Sequence, residues 1–149
     1  MAVHAPQRAS HETSSFWTYT ITVLVAALVL GLASLGTWFT VHLGRGVREA
    51  GVLGVRGGDP GTFVRLIAVA IVVGVIVWFI SRTPAVPVVV ATLFGTAAVI
   101  TIQQALKAWT QSVPAVAIDV AWPLWTCFAM SLAGLFTAIA WTLRIHRMK

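Results

Sequence analysis

VRLIAVAIVVGVIVWFI, residues 64–80, decides how this chain folds. Taken alone, its valines and isoleucines suit a β-strand. A run this continuous, beside three others, is better read as a helix. It carries one charge, Arg65, at its entry and closes on Trp78-Phe79. In lipid the backbone must satisfy its own hydrogen bonds, which restricts a spanning segment to a helix or a closed barrel. A barrel strand alternates apolar and polar residues, and no such alternation is visible here. The run reads as a transmembrane helix.

Working outward, three further apolar runs have the same character. The expected spans are 17–43, 64–80, 85–106 and 123–143, within a membrane domain over 16–144. Residues 1–15 are polar and read as a disordered tail. Residues 145–149 form a basic tail. Pro84 and Pro87 suit the first turn of the third helix, where a missing N–H costs nothing. The fold class expected is an all-α integral membrane protein, with four transmembrane helices in an antiparallel bundle and both termini on one side.

Composition agrees. The chain has 149 residues, 58% hydrophobic and 9% charged, with a mean hydropathy of +0.91. A soluble domain carries about 25% charged residues, so lipid is the expected solvent. Ten basic residues against four acidic give a net charge of +6. That charge favours a bilayer with anionic headgroups or serves to orient the spans. The basic residues form no dense stripe, so nucleic acid is not an expected partner. Lys and Arg divide five and five between the two sides, leaving a weak lean to termini inside from the compact basic cluster at the C-terminal end.

Seven tryptophans, Trp17, Trp38, Trp78, Trp109, Trp122, Trp125 and Trp141, fall near the ends of these runs. Indoles collect where hydrocarbon meets headgroup, so all seven are expected to be interface anchors. Small residues recur at four-residue spacing: Ala27 and Gly31, Ala70 and Gly74, Ala91 and Gly95, Ala129 and Ala133. Small side chains let helices approach closely in lipid, which makes these eight the expected packing contacts.

Groups able to do chemistry are sparse. No charged residue lies at the middle of any span, against the usual pattern of pumps and proton-coupled carriers. Residues 44–62 are glycine-rich but lack the spacing of a phosphate-binding loop. Arg45, Arg48 and Arg56 there are the expected headgroup or partner contacts. The four histidines show no ligand spacing, Cys127 reads as a buried apolar residue, and no serine has an accompanying base. Neither cofactor nor metal is expected. The loop over 110–121, with Asp119 and flanked by Trp109, Trp122 and Trp125, reads as an interfacial segment and the first place to seek a partner.

These readings converge on a non-enzymatic accessory or scaffolding subunit of a bacterial cytoplasmic-membrane complex, binding other membrane proteins or itself. Two other classes remain open at this point. One is a pore or transport component, holin-like included. The other is a membrane-embedded lipid-modifying enzyme drawing on His42, Glu49, Asp59 and Asp119.

Overall fold

In the computed structural model the backbone is described for residues 7–43, 47–50, 60–111 and 116–147, and side chains for 16–40, 60–110 and 118–147. Four long helices dominate: α1 (Gln7–Ala33), α2 (Pro60–Ser81), α3 (Ala85–Gln111) and α4 (Trp122–Arg147). Each contains a stretch long and apolar enough to cross a membrane. Their 22 to 27 residues correspond to about 33–40 Å at the helical rise, against a hydrocarbon core of about 30 Å. Neighbours in sequence are neighbours in space, and α4 closes the ring against α1. The result is an antiparallel bundle with the start of α1 and the end of α4 at one face, hereafter the terminal face.

The helices are apolar on both sides. Inward, Leu30, Ile71, Phe94, Leu124 and Trp141 are fully buried. Outward, Leu28 and Leu32 on α1, Leu66 and Val69 on α2, Val99 on α3 and Phe136 on α4 are exposed. A helix apolar all round belongs in a lipid environment.

Two parts of the chain differ from the sequence reading. The first span, expected over 17–43, ends as helix at Ala33. Its last turn tightens through Leu35 N–H to Leu32 C=O and Gly36 N–H to Ala33 C=O, both 3.1 Å. Gly36 then passes so close to α4 that a Cβ there would lie 2.8 Å from Pro123 Cγ. Beyond that contact the β-branched and aromatic run Thr37-Trp38-Phe39-Thr40-Val41 favours an extended chain. At the other end, residues 7–15, read as a disordered tail, continue α1 as helix. A helix already nucleated by an apolar span propagates cheaply into flanking polar sequence.

The second difference is a three-stranded antiparallel sheet at the opposite, loop face, formed by β1 (Phe39–Leu43), β2 (Val47–Ala50) and β3 (Val116–Val120) in the order β2-β1-β3. β3 lies in the segment read as an irregular interfacial loop. In β3, Ile118 and Val120 pack against the core while Asp119 between them is exposed, the period of two that defines a half-buried strand. One junction ties sheet to bundle: Ala121 N–H donates to Trp38 C=O at 2.8 Å, and the Trp38 indole N–H donates to Ala33 C=O at 3.4 Å.

At Gly134 α4 leaves room for an aromatic side chain of α3. A Cβ added at Gly134 would collide with the Phe94 ring, lying 2.6 Å from Cδ1. At Gly31, by contrast, it would meet Ala68 Cβ at an ordinary 3.5 Å. Gly134→Ala should therefore destabilise the bundle by about 1–3 kcal/mol, the usual cost of overpacking. Gly31→Ala should cost far less. Unfolding in mixed micelles measures both, and Phe94→Leu in the Gly134→Ala background should recover part of the loss.

Candidate lipid and partner surfaces

The seven tryptophans divide into two groups. Trp17, Trp109, Trp122 and Trp125 are exposed, with Trp109 and Trp122 each at 73%. Trp17 lies toward the terminal face and the other three toward the loop face, each near the end of its apolar helix. Trp38, Trp78 and Trp141 are corrected to core residues: all three are buried. Trp78 and Trp141 meet edge to face, with ring centroids 4.8 Å apart. End-of-span position does not distinguish a lipid-facing indole from one turned inward, because helical phase decides that.

Phase also reassigns the small-residue contacts. Ala27 is buried, and Gly31 sits beside Ala68 across the α1–α2 boundary. Gly74 lies 3.5 Å, from its ideal Cβ position, from Val90 of α3, and Gly95 lies 4.0 Å from Leu135 of α4 by the same measure. Ala91 is partly buried against the core. Ala70, Ala129 and Ala133 are corrected: each faces outward. The inward stripe of α4 is Cys127, Ser131, Gly134, Ala138 and Trp141, and α2 packs through Ala68 instead of Ala70. The sequence signal for that stripe was available in the spacing of Cys127, Ser131, Gly134 and Ala138.

The buried hydroxyls are turned onto their own backbones. Thr20, Thr101 and Ser131 each donate to a carbonyl one turn earlier in the same helix, at 3.0, 3.0 and 2.7 Å. The Cys127 thiol is buried and lies 3.8 Å from Leu30 C=O. No group of three or more His, Cys, Asp or Glu side chains converges among the described residues.

At the loop face the sheet brings together residues far apart in sequence. Thr40 pairs with Glu49 on one side and Asp119 on the other, so the three share one rung. His42 stands two rungs along, opposite Val47 and Ala117. The residues named for a lipid-modifying enzyme are thus partly gathered by the register, Asp59 lying outside the described residues. Arg48 is in β2 with its side chain outside the described set, and Arg45 and Arg56 lie outside it altogether. Beside this sheet, exposed Trp109, Trp122 and Trp125 form an aromatic rim. Asp119 is exposed at the edge strand.

The terminal face has a different composition. α2 ends where Arg82 adopts a left-handed backbone, φ 52°, and donates its N–H to Trp78 C=O at 2.8 Å. That C-terminal position normally selects glycine. The guanidinium compensates by lying 4.6 Å from the Trp78 ring centre and 5.7 Å from that of Phe79. Tyr19, Arg144 and Arg147 gather nearby, where α4 ends against α1.

Comparison with protein-family models, curated proteins and solved structures returns no match.

Two outcomes test these assignments. Arg82→Ala retains the left-handed strain, about 1 kcal/mol or more, and loses the cation–π contact, about 0.5–1 kcal/mol. Arg82→Gly loses the contact but removes the strain, so the glycine variant should be the more stable of the two in thermal unfolding. Lipid-attached quenchers should affect Trp17, Trp109, Trp122 and Trp125, studied as single-tryptophan variants, and leave the emission of Trp38 and Trp141 largely unquenched.

Proposed function

We propose that this multi-pass membrane protein is a non-enzymatic accessory or scaffolding subunit of a bacterial cytoplasmic-membrane complex. It would recruit another membrane protein, or a second copy of itself, at its loop face. The observation that carries the reading is the aromatic rim of Trp109, Trp122 and Trp125 around a small sheet whose outer strands, β2 and β3, each have an edge without a strand partner among the described residues. Aromatic side chains supply large contact area at little entropic cost, and a strand edge offers backbone donors and acceptors to an added strand.

The bundle interior argues for a scaffold over a pore formed by one chain. Its interior is filled by Phe94, Leu30 and Ile71, and Trp141 closes its terminal end. The hydroxyls of Thr20, Thr101 and Ser131 are turned onto backbone carbonyls instead of lining a path. Liposomes containing the protein should therefore leak no faster than empty ones, and solute flux above that background would favour the pore reading.

Affinity purification in mild detergent tests the main proposal. A specific membrane partner, or a second copy, should be retained by the wild type. It should be lost by about tenfold or more from a variant carrying Trp109→Ala, Trp122→Ala and Trp125→Ala, since central aromatic anchors each contribute about 2 kcal/mol or more. A clean monomer without companions would overturn it. Orientation is tested with Ser81→Cys and Asp119→Cys, using the buried Cys127 as a quiet background. With termini inside, Ser81→Cys labels from the cytoplasmic side and Asp119→Cys from the opposite one.

A further inference from the structure

At the terminal face Tyr19 of α1 and Ala140, Leu143, Arg144 and Arg147 of α4 line an open cavity of about 420 Å³. The four α4 residues recur at intervals of three and four, which places them along one helix face. The cavity changes character along its length. Ala140 and Leu143 are exposed and apolar, and lie toward the hydrocarbon. Arg144 and Arg147 follow in the last turn of α4. Trp17, exposed two residues before Tyr19, marks the headgroup level on α1. The cavity therefore crosses from hydrocarbon to headgroup.

Among the described side chains its charge is unbalanced. Among the described residues Tyr19, Arg144 and Arg147 have neither a hydrogen-bond nor an ion-pair partner. Asp119, the acidic residue among the described side chains, is at the opposite face. Part of the arginine charge offsets the carbonyls that end α4. Two guanidinium groups nevertheless exceed what that partial charge needs, and their planar forks suit phosphate oxygens. A phenolic hydroxyl adds a third donor. A ligand matched to this cavity has an anionic phosphate at one end and hydrocarbon at the other.

We propose that Tyr19, Arg144 and Arg147 form a binding site for the phosphate of an anionic phospholipid, whose acyl chain runs down the helix past Leu143 and Ala140. The site is separate from the aromatic rim of the loop face, so its success or failure leaves the partner-binding reading untouched.

The test is native mass spectrometry of the purified full-length chain, titrated with phosphatidylglycerol or with phosphatidylcholine of the same acyl chains. Phosphatidylglycerol should be retained about tenfold more tightly, as expected for two well-placed cations near the headgroups. Combined Arg144→Gln and Arg147→Gln should abolish that preference, and Tyr19→Phe should weaken it about threefold, the loss of one modest hydrogen bond. Arg82→Gln is the control, removing a charge at the same face that is already stacked on Trp78. Tryptophan emission and unfolding temperature report whether each variant is folded. Equal retention of the two lipids, a preference that survives the double substitution, or one lost equally in Arg82→Gln would overturn the proposal. So would displacement of the lipid by millimolar inorganic phosphate, which would identify a phosphate site indifferent to acyl chains.

Discussion

A backbone polar group without a partner costs several kcal/mol, roughly, in hydrocarbon, and that cost arranges most of this molecule. It confines the apolar runs to helices. It also determines what the hydroxyl side chains do: Thr20, Thr92, Thr96, Ser131, Thr137 and Thr142 all donate to carbonyls four residues earlier. Each hydroxyl satisfies itself on its own helix and asks nothing of lipid or of a neighbouring helix. Among the described residues these hydroxyls therefore sit in the spans turned onto their own helices, and the bundle is packed largely by shape. The indole N–H of Trp141, buried with no partner among the described residues, is the exception. Its ring stacks edge-on against Trp78, and the packing of a large aromatic offsets the unmet donor.

The same rule sets the depth of the bundle. A sheet with open edges cannot be exposed to hydrocarbon, so β2-β1-β3 must lie at or beyond the membrane surface. The sheet is fastened directly to the end of α1 and the start of α4 through Trp38, Gly36 and Pro123. It forms a collar over the loop end of the bundle. Arg65 on α2, just below the collar, turns back toward that face, donating to Gly61 C=O and to the Thr62 hydroxyl. Its aliphatic stem lies along the helix while the charge reaches the interface, the usual behaviour of a long cation near a span's end.

How much of this was legible in the sequence depended on which period a segment obeyed. The four spans announce themselves through length and uninterrupted apolarity. The start of β1 could have been found: Gly36 followed by Thr37, Trp38, Phe39, Thr40 and Val41 is a helix breaker ahead of β-formers. An apolar count over the first run averages across that boundary and conceals it. β3 was harder, because five residues with one alternation barely exceed chance and its pairing partner is remote in sequence. Helical phase was the other obscured quantity. Small residues at four-residue spacing occur on both faces of α4, and the choice of Gly134 over Ala133 depends on Phe94, an aromatic on a different helix.

That dependence explains why the tryptophans are divided as they are. A belt indole needs one apolar side and one wet side, and Trp109, Trp122 and Trp125 are exposed where the bundle meets its sheet. At the terminal face no sheet covers the bundle among the described residues, and side chains seal the core end. Trp78 and Trp141 do this by turning inward against each other, with Phe16 stacked on Trp78 at 6.2 Å and Arg82 above it. The two faces thus solve one problem, closing an apolar core against water, by different means. The loop face uses the sheet, with Trp38 buried beneath it, and leaves Trp109, Trp122 and Trp125 exposed. The terminal face spends Trp78 and Trp141 on closure, leaves Trp17 exposed, and carries Arg82, Arg144 and Arg147 around the sealed core end.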